Sequence, residues 1–200
     1  MRLSEVRIKN YRLLIDAKLD VDAKTTLIVG RNNTAKTSCS SCINTVLQGS
    51  DFSYNDYPLS KREGLHNLFL QFMEKKLSYE DLCKKIETIS IEFLVDYSLD
   101  DPDAKLGALS PFIIDVDVDT TTALICVEYQ LKTDENKLRE LFKDSCYSEG
   151  QFDPNAEEMH DVLVRNFTKL FGLTIYAVNP KNLEDRQVKS RRELEDLFPY

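Results

Sequence analysis

Thr25-Thr-Leu-Ile-Val-Gly-Arg-Asn-Asn-Thr-Ala-Lys-Thr-Ser38 is the stretch that decides the fold. Thr25 to Val29 is a continuous β-branched and apolar run, the pattern of a strand buried on both faces. Gly30 ends it. Lys36 to Leu47 then reads as a helix, with Ile43, Val46 and Leu47 as its apolar stripe. Between strand and helix lies Gly30-Arg-Asn-Asn-Thr-Ala35-Lys36-Thr37, against the P-loop pattern G-x-x-x-x-G-K-[ST]. A loop of this kind turns successive backbone N–H groups inward, and the helix N-terminus adds partial positive charge. Together they hold the phosphates of a nucleotide. Lys36 is expected to reach the β- and γ-phosphates, and Thr37 to place its hydroxyl on Mg²⁺. The candidate nucleotide-binding residues are Gly30, Arg31, Asn32, Asn33, Thr34, Ala35, Lys36, Thr37 and Ser38, with ATP and Mg²⁺ as cofactors. One position departs from the pattern: Ala35 stands where the motif has its second glycine. Glycine is used where backbone approaches a ligand closely or takes unusual dihedrals, so the methyl group is expected to weaken binding.

Outward from this stretch, Leu3, Val6 and Ile8 alternate with polar residues as a strand with one wet face, and Asp16 to Val21 alternates again. Asp51 to Gly64 carries turn residues. Leu65 to Lys76 reads as a helix, and Ser78-Tyr-Glu-Asp81 as a capping box opening another. Ile89 to Val95, Phe112 to Val118 and Thr122 to Leu131 read as three strands of an antiparallel set, the last two joined by a hairpin. Asp153-Pro154 opens a further helix carrying Met159, Val162, Leu163, Phe167, Leu170 and Phe171. Leu173 to Val178 is a short strand, and Ser190-Arg-Arg-Glu193 caps a last helix. The expected class is α/β (α+β): a P-loop lobe with a mixed sheet, plus an added antiparallel β subdomain and helices. Residues 1–50 form the expected P-loop core, 51–150 a helical and antiparallel lobe, and 151–200 a helix–strand–helix return to the core. The chain stops directly after a helix signal and reads as part of a larger protein.

No apolar run approaches the roughly 18 residues of a membrane span. No apolar stretch of signal-peptide type opens the chain, so a cytoplasmic location is expected. The formal charge is −8, which repels nucleic acid unless basic residues cluster. They gather at Arg2, Arg7, Lys9 and Arg12, and again at Lys181, Arg186, Lys189, Arg191 and Arg192. Both groups are read first as solvated surface. The five cysteines are odd in number and irregular in spacing, as reduced thiols are. Cys39 and Cys42 form a C-x-x-C, but no second pair follows to complete a zinc site. His66 and His160 have no triad or ligand set nearby in sequence.

Residues 1–38 resemble a known group. Val6-Arg-Ile-Lys-Asn-Tyr-Arg12, a second strand, and then Leu27-Ile-Val-Gly-Arg-Asn-Asn-Thr-Ala-Lys-Thr-Ser38 look like the opening of the SMC-like, ABC-type ATPases of DNA repair and phage defence. Within that group the chain is most similar to the OLD (overcoming lysogenization defect) family. The resemblance implies that Arg12 lies near the nucleotide and that two ATPase heads pair as a homodimer or higher oligomer. It implies DNA as a partner of the full protein. The acidic strand end and the signature motif that complete such a site are not found. Neither is the family's Toprim nuclease domain. The reading is therefore the N-terminal half of an ATPase head that binds nucleotide weakly and does not turn it over by itself. The alternative is a non-hydrolysing, regulatory nucleotide-binding module with a degenerate P-loop. A small-molecule kinase is disfavoured by the strand pair before the loop.

Overall fold

Alternation builds the first hairpin. In the computed structural model, which describes residues 1–31, 35–97, 106–115, 120–148, 151–152 and 158–199, β1 (Arg2–Tyr11) pairs antiparallel with β2 (Leu14–Asp20). Val6 and Ile8 are each 1% exposed, while Glu5, Arg7 and Lys9 on the other face are half-buried. The helix α1 (Lys36–Leu47) follows, then a single 3-10 turn over Tyr54–Asp56, then α2 (Leu59–Met73) and α3 (Tyr79–Lys85). The Ser78 hydroxyl caps α3 by accepting from the Asp81 N–H at 3.1 Å.

Strand β3 (Ile89–Asp96) returns to pair with β1. The short α4 (Leu106–Leu109) precedes β4 (Thr122–Leu131), which pairs with β3. Then come α5 (Glu135–Cys146), a two-residue pair of β5 (Tyr147–Ser148) with β6 (Gln151–Phe152), and α6 (Glu158–Leu170). Strand β7 (Phe171–Asn179) pairs with β4, β8 (Asn182–Lys189) pairs with β7, and α7 (Arg191–Leu197) closes the described chain. The six-stranded order is β2-β1-β3-β4-β7-β8, and every pairing is antiparallel.

One face of the sheet carries the core. Phe93, Ile125, Val127 and Tyr129 are at most 1% exposed and meet Phe69, Phe72, Leu138, Phe142, Leu163 and Phe167 from the helices. Aromatic rings dominate it: Phe167 stacks on Phe171 at 4.6 Å, and Phe52 meets Tyr129 edge-on at 5.4 Å. The other face is laced with ion pairs. Arg7 meets Asp16 at 2.6 Å, Lys9 meets Glu92 at 2.7 Å, and Arg186 meets Glu128 at 2.7 Å. Such half-exposed pairs add little stability, about 0–1 kcal/mol each. They do neutralise much of both basic clusters seen in the sequence. Cys39, Cys42, Cys83 and Cys126 are free thiols, and no described helix is long and apolar enough to cross a membrane.

The α/β class holds, with differences in detail. The sheet is antiparallel throughout rather than mixed. The strands expected over Ile89–Leu131 are present as β3 and β4, but they continue the sheet of β1 instead of forming an added lobe. Thr25–Val29 is not a strand: Leu27 is 80% and Val29 76% exposed. A strand exists by virtue of its neighbours' hydrogen bonds, and no described strand pairs with this run. Phe112 ends a 3-10 turn, and residues 113–115 are without regular structure; the rest of that expected strand, 116–118, lies outside the described residues. The helix signal Asp153-Pro154 also lies outside them. Strand β8, missed in the sequence, is exposed along almost its whole length and so lacks an alternating pattern.

His66 lies on α2 and His160 on α6. His160 Nδ1 lies 3.4 Å from the Tyr54 hydroxyl, and its ring packs edge-on against Tyr54. His66 Nε2 is buried without a hydrogen-bond partner. Burial, with a smaller push from His160, holds the His66 pKa below its ordinary 6.5. The unfolded chain therefore binds more protons than the folded one below about pH 6.5. Stability from this group is complete above that pH and is lost as pH falls through the depressed folded value. Thermal melts from pH 7.5 to 5.5 are expected to fall more steeply for the native chain than for His66→Gln. Parallel slopes would show that His66 titrates as it does when unfolded.

Candidate functional site

The loop between β2 and α1 builds the site. Helix α1 starts at Lys36, and its N-cap, Ala35, has φ 63° and ψ 11°. That is the left-handed region, which costs an L-residue with a Cβ roughly 1–2 kcal/mol. The motif's glycine has a physical reason at this position, and Ala35 adopts the glycine conformation without being glycine. No side chain caps α1, and its first turn holds no acid. Its leading N–H groups and partial positive charge are left for another acceptor.

Lys36 turns back over the loop. Its Nζ donates to the Arg31 carbonyl at 3.0 Å and to the Gly30 carbonyl. Among the described residues it has no carboxylate partner. Thr37 is exposed and Ser38 is 8% exposed. Asn32, Asn33 and Thr34 lie outside the described residues. A cavity of about 290 Å³ opens beside the loop. Its walls come from the hairpin (Ile8, Leu14, Leu19) and the loop side (Val29, Gly30, Lys36).

The Lys9-Asn-Tyr-Arg12 motif fastens the hairpin to β3, to α1 and to the 3-10 turn over Tyr54–Asp56. Lys9 reaches Glu92 on the adjacent strand. Asn10, at φ 56°, donates to the Thr88 carbonyl at 3.0 Å, and asparagine tolerates that conformation better than most residues. The Tyr11 ring is buried, and its hydroxyl lies 3.1 Å from the Ser41 hydroxyl on α1. Arg12 joins Asp56 three times: its backbone N–H donates to the Asp56 carbonyl at 2.7 Å, and Nε and Nη2 both lie 2.8 Å from Oδ1. Burial pushes the Asp56 carboxyl up, but hydrogen bonds from Ser53 and Arg12 outweigh it and hold it below the usual carboxylate range. Burial also raises the Cys42 thiol to about 12, with Cys39 adding. A thiol so raised stays protonated and inert near neutral pH.

The structure therefore brings Gly30, Arg31, Ala35, Lys36, Thr37 and Ser38 together at one helix start. Arg12 is committed to Asp56. Ser41 and Asp56, the anchors of the motif, were not singled out in the sequence. Asp56 had a legible signal, since Ser53-Tyr-Asn-Asp56 has capping-box spacing and forms that box. Ser41 had none, because its role depends on the approach of β1 to α1.

The residues fit a nucleotide's phosphates: an ammonium and an uncapped helix start face one loop. For Mg²⁺ the described residues supply only the Thr37 hydroxyl, as no group of three or more His, Cys, Asp or Glu gathers among them. A metal would have to be carried largely by the phosphates. No curated protein matches the sequence. The AAA ATPase domain family matches residues 1–196. With nearly its whole length matched, the chain belongs to the AAA ATPase domain family.

Proposed function

We propose that this chain binds ATP with Mg²⁺ through the amides of residues 30–38, Lys36 and Thr37, as the N-terminal half of an SMC- or OLD-like ATPase head. The observation that carries it is Lys36. Among the described residues its ammonium is met only by the Gly30 and Arg31 carbonyls, at the uncapped start of α1. A phosphate arriving there replaces weak neutral acceptors with a charge-assisted one. Arg12 shapes the site by holding the hairpin to Asp56. In the full protein two heads sandwich nucleotide, and hydrolysis gates work on DNA. The paired bases of β1 leave that contact to other surfaces. The exposed Leu27–Val29 run would then be covered by a further layer of the head.

These 200 residues are proposed not to turn ATP over. Among the described residues no cluster of three or more His, Cys, Asp or Glu gathers to hold Mg²⁺ and orient water. A specific observation also favours a regulatory, non-hydrolysing module: the left-handed Ala35.

Titration with a fluorescent ATP analogue tests the proposal. Ala35→Gly removes the methyl group from the place where the motif lets backbone approach the phosphate closely, so it is expected to tighten binding by about three- to tenfold, the equivalent of about 0.7–1.4 kcal/mol. Binding by neither chain at millimolar analogue would overturn the ATP reading. Mg²⁺-dependent hydrolysis by the native chain would overturn the claim that it cannot turn ATP over.

A further inference from the structure

A second cavity lies at the opposite end of α1 from the Lys36 loop. It has a volume of about 510 Å³. Lys36 and Val46 stand ten positions apart on this helix, roughly 15 Å at 1.5 Å per residue. Its apolar wall comes from Val46 on α1, Val127 and Ile175 on the sheet, and Leu194 on α7.

Three cations and one acid stand on this wall: Lys132, Lys189, Arg191 and Asp51. Arg191 is structural. It donates from Nη2 to the Gln48 carbonyl at 2.9 Å and from Nη1 to Gly49, satisfying the end of α1, while Nε holds Glu195 at 2.7 Å. Gly49, at φ 61°, permits this, since a Cβ there would overlap the guanidinium. The lysines differ. Lys132 donates to the Leu173 carbonyl, and Lys189 donates to Gln187 Oε1 at 3.1 Å. Neither has a carboxylate partner among the described residues. Gly172 makes room for Lys132: a Cβ there would lie 2.7 Å from its Cδ.

Two lysines with only neutral acceptors, converging on an apolar pocket in a chain of formal charge −8, form a local arrangement that favours anions. We propose that this cavity is a second ligand site, for a small organic anion with an apolar body and a phosphate or carboxylate head. The body lies on Val46, Val127, Ile175 and Leu194. The head lies between Lys132 and Lys189, which exchange their neutral acceptors for it. The proposal is independent of nucleotide binding at Lys36.

Naphthyl phosphate is a suitable probe, with naphthol and inorganic phosphate as its two halves. Amide NMR of the full chain should show saturable shifts at Gly49, Gly172 and Lys189. Lys132→Gln with Lys189→Gln is expected to weaken that binding by about tenfold or more. Lys36→Ala should leave it unchanged. Naphthol binding as tightly as naphthyl phosphate would overturn the anion site, as would shifts confined to residues 30–37. Unaltered affinity in the double lysine variant would also overturn it. Phosphate shifting the same amides more weakly than naphthyl phosphate supports the two-part ligand.

Discussion

Phe167→Ala is expected to destabilise the protein by about 3–5 kcal/mol. Phe167 is 2% exposed and sits where the helices meet the sheet. Its ring stacks on Phe171 at 4.6 Å, lies 5.8 Å from Tyr129, and meets Tyr54 edge-on at 5.7 Å. Truncation removes the buried ring and leaves a void that three large, rotamer-restricted neighbours cannot close. In a domain of this size each kcal/mol lowers the melting temperature by about 2–4 °C, so a fall of roughly 6–20 °C is expected. Val188→Ala is the contrast, because Val188 is 69% exposed on β8; a change within about 0.5 kcal/mol is expected there. Equal losses in the two variants, measured by thermal or denaturant melts, would contradict the core described above.

Lys36→Ala is expected to weaken ATP-analogue binding by about tenfold to more than a hundredfold, from the roughly 1.5–3 kcal/mol of a hydrogen bond to a charged group. Folding should be nearly untouched. Among the described residues Lys36 holds only the Gly30 and Arg31 carbonyls, and neither would be buried without water. Stability and binding therefore separate in this variant, whereas they move together in Phe167→Ala. Lys36→Arg is expected to recover little, because a planar fork does not replace a compact ammonium inside a tight loop. Native affinity in Lys36→Ala would remove the P-loop from the function altogether.

Local chemistry made much of the fold legible. Strands Arg2–Tyr11 and Ile89–Asp96 show period-two alternation because only one sheet face is packed. The caps Ser78 and Ser190 are readable because the capping side chain and its target N–H are three residues apart. The P-loop helix is equally local. What misled was Thr25–Val29, where β-branched content suggested a buried strand that has no described neighbour. Strand β8 failed the other way: it is exposed on nearly every residue, so burial left no pattern to read.

Elements whose cause lies within a few residues were readable in the chain alone: the first strand pair, the helix start at Lys36, the capped helices, and the oddity of alanine at position 35. Only the tertiary structure decided that β3 and β4 extend the sheet of β1, that Tyr11 reaches Ser41, and that Arg12 belongs to Asp56. It also revealed that Ala35 is left-handed, which turns a missing glycine into a stated conformational cost. Pairings across 30 to 90 residues depend on which faces meet, and no spacing along the chain encodes that meeting.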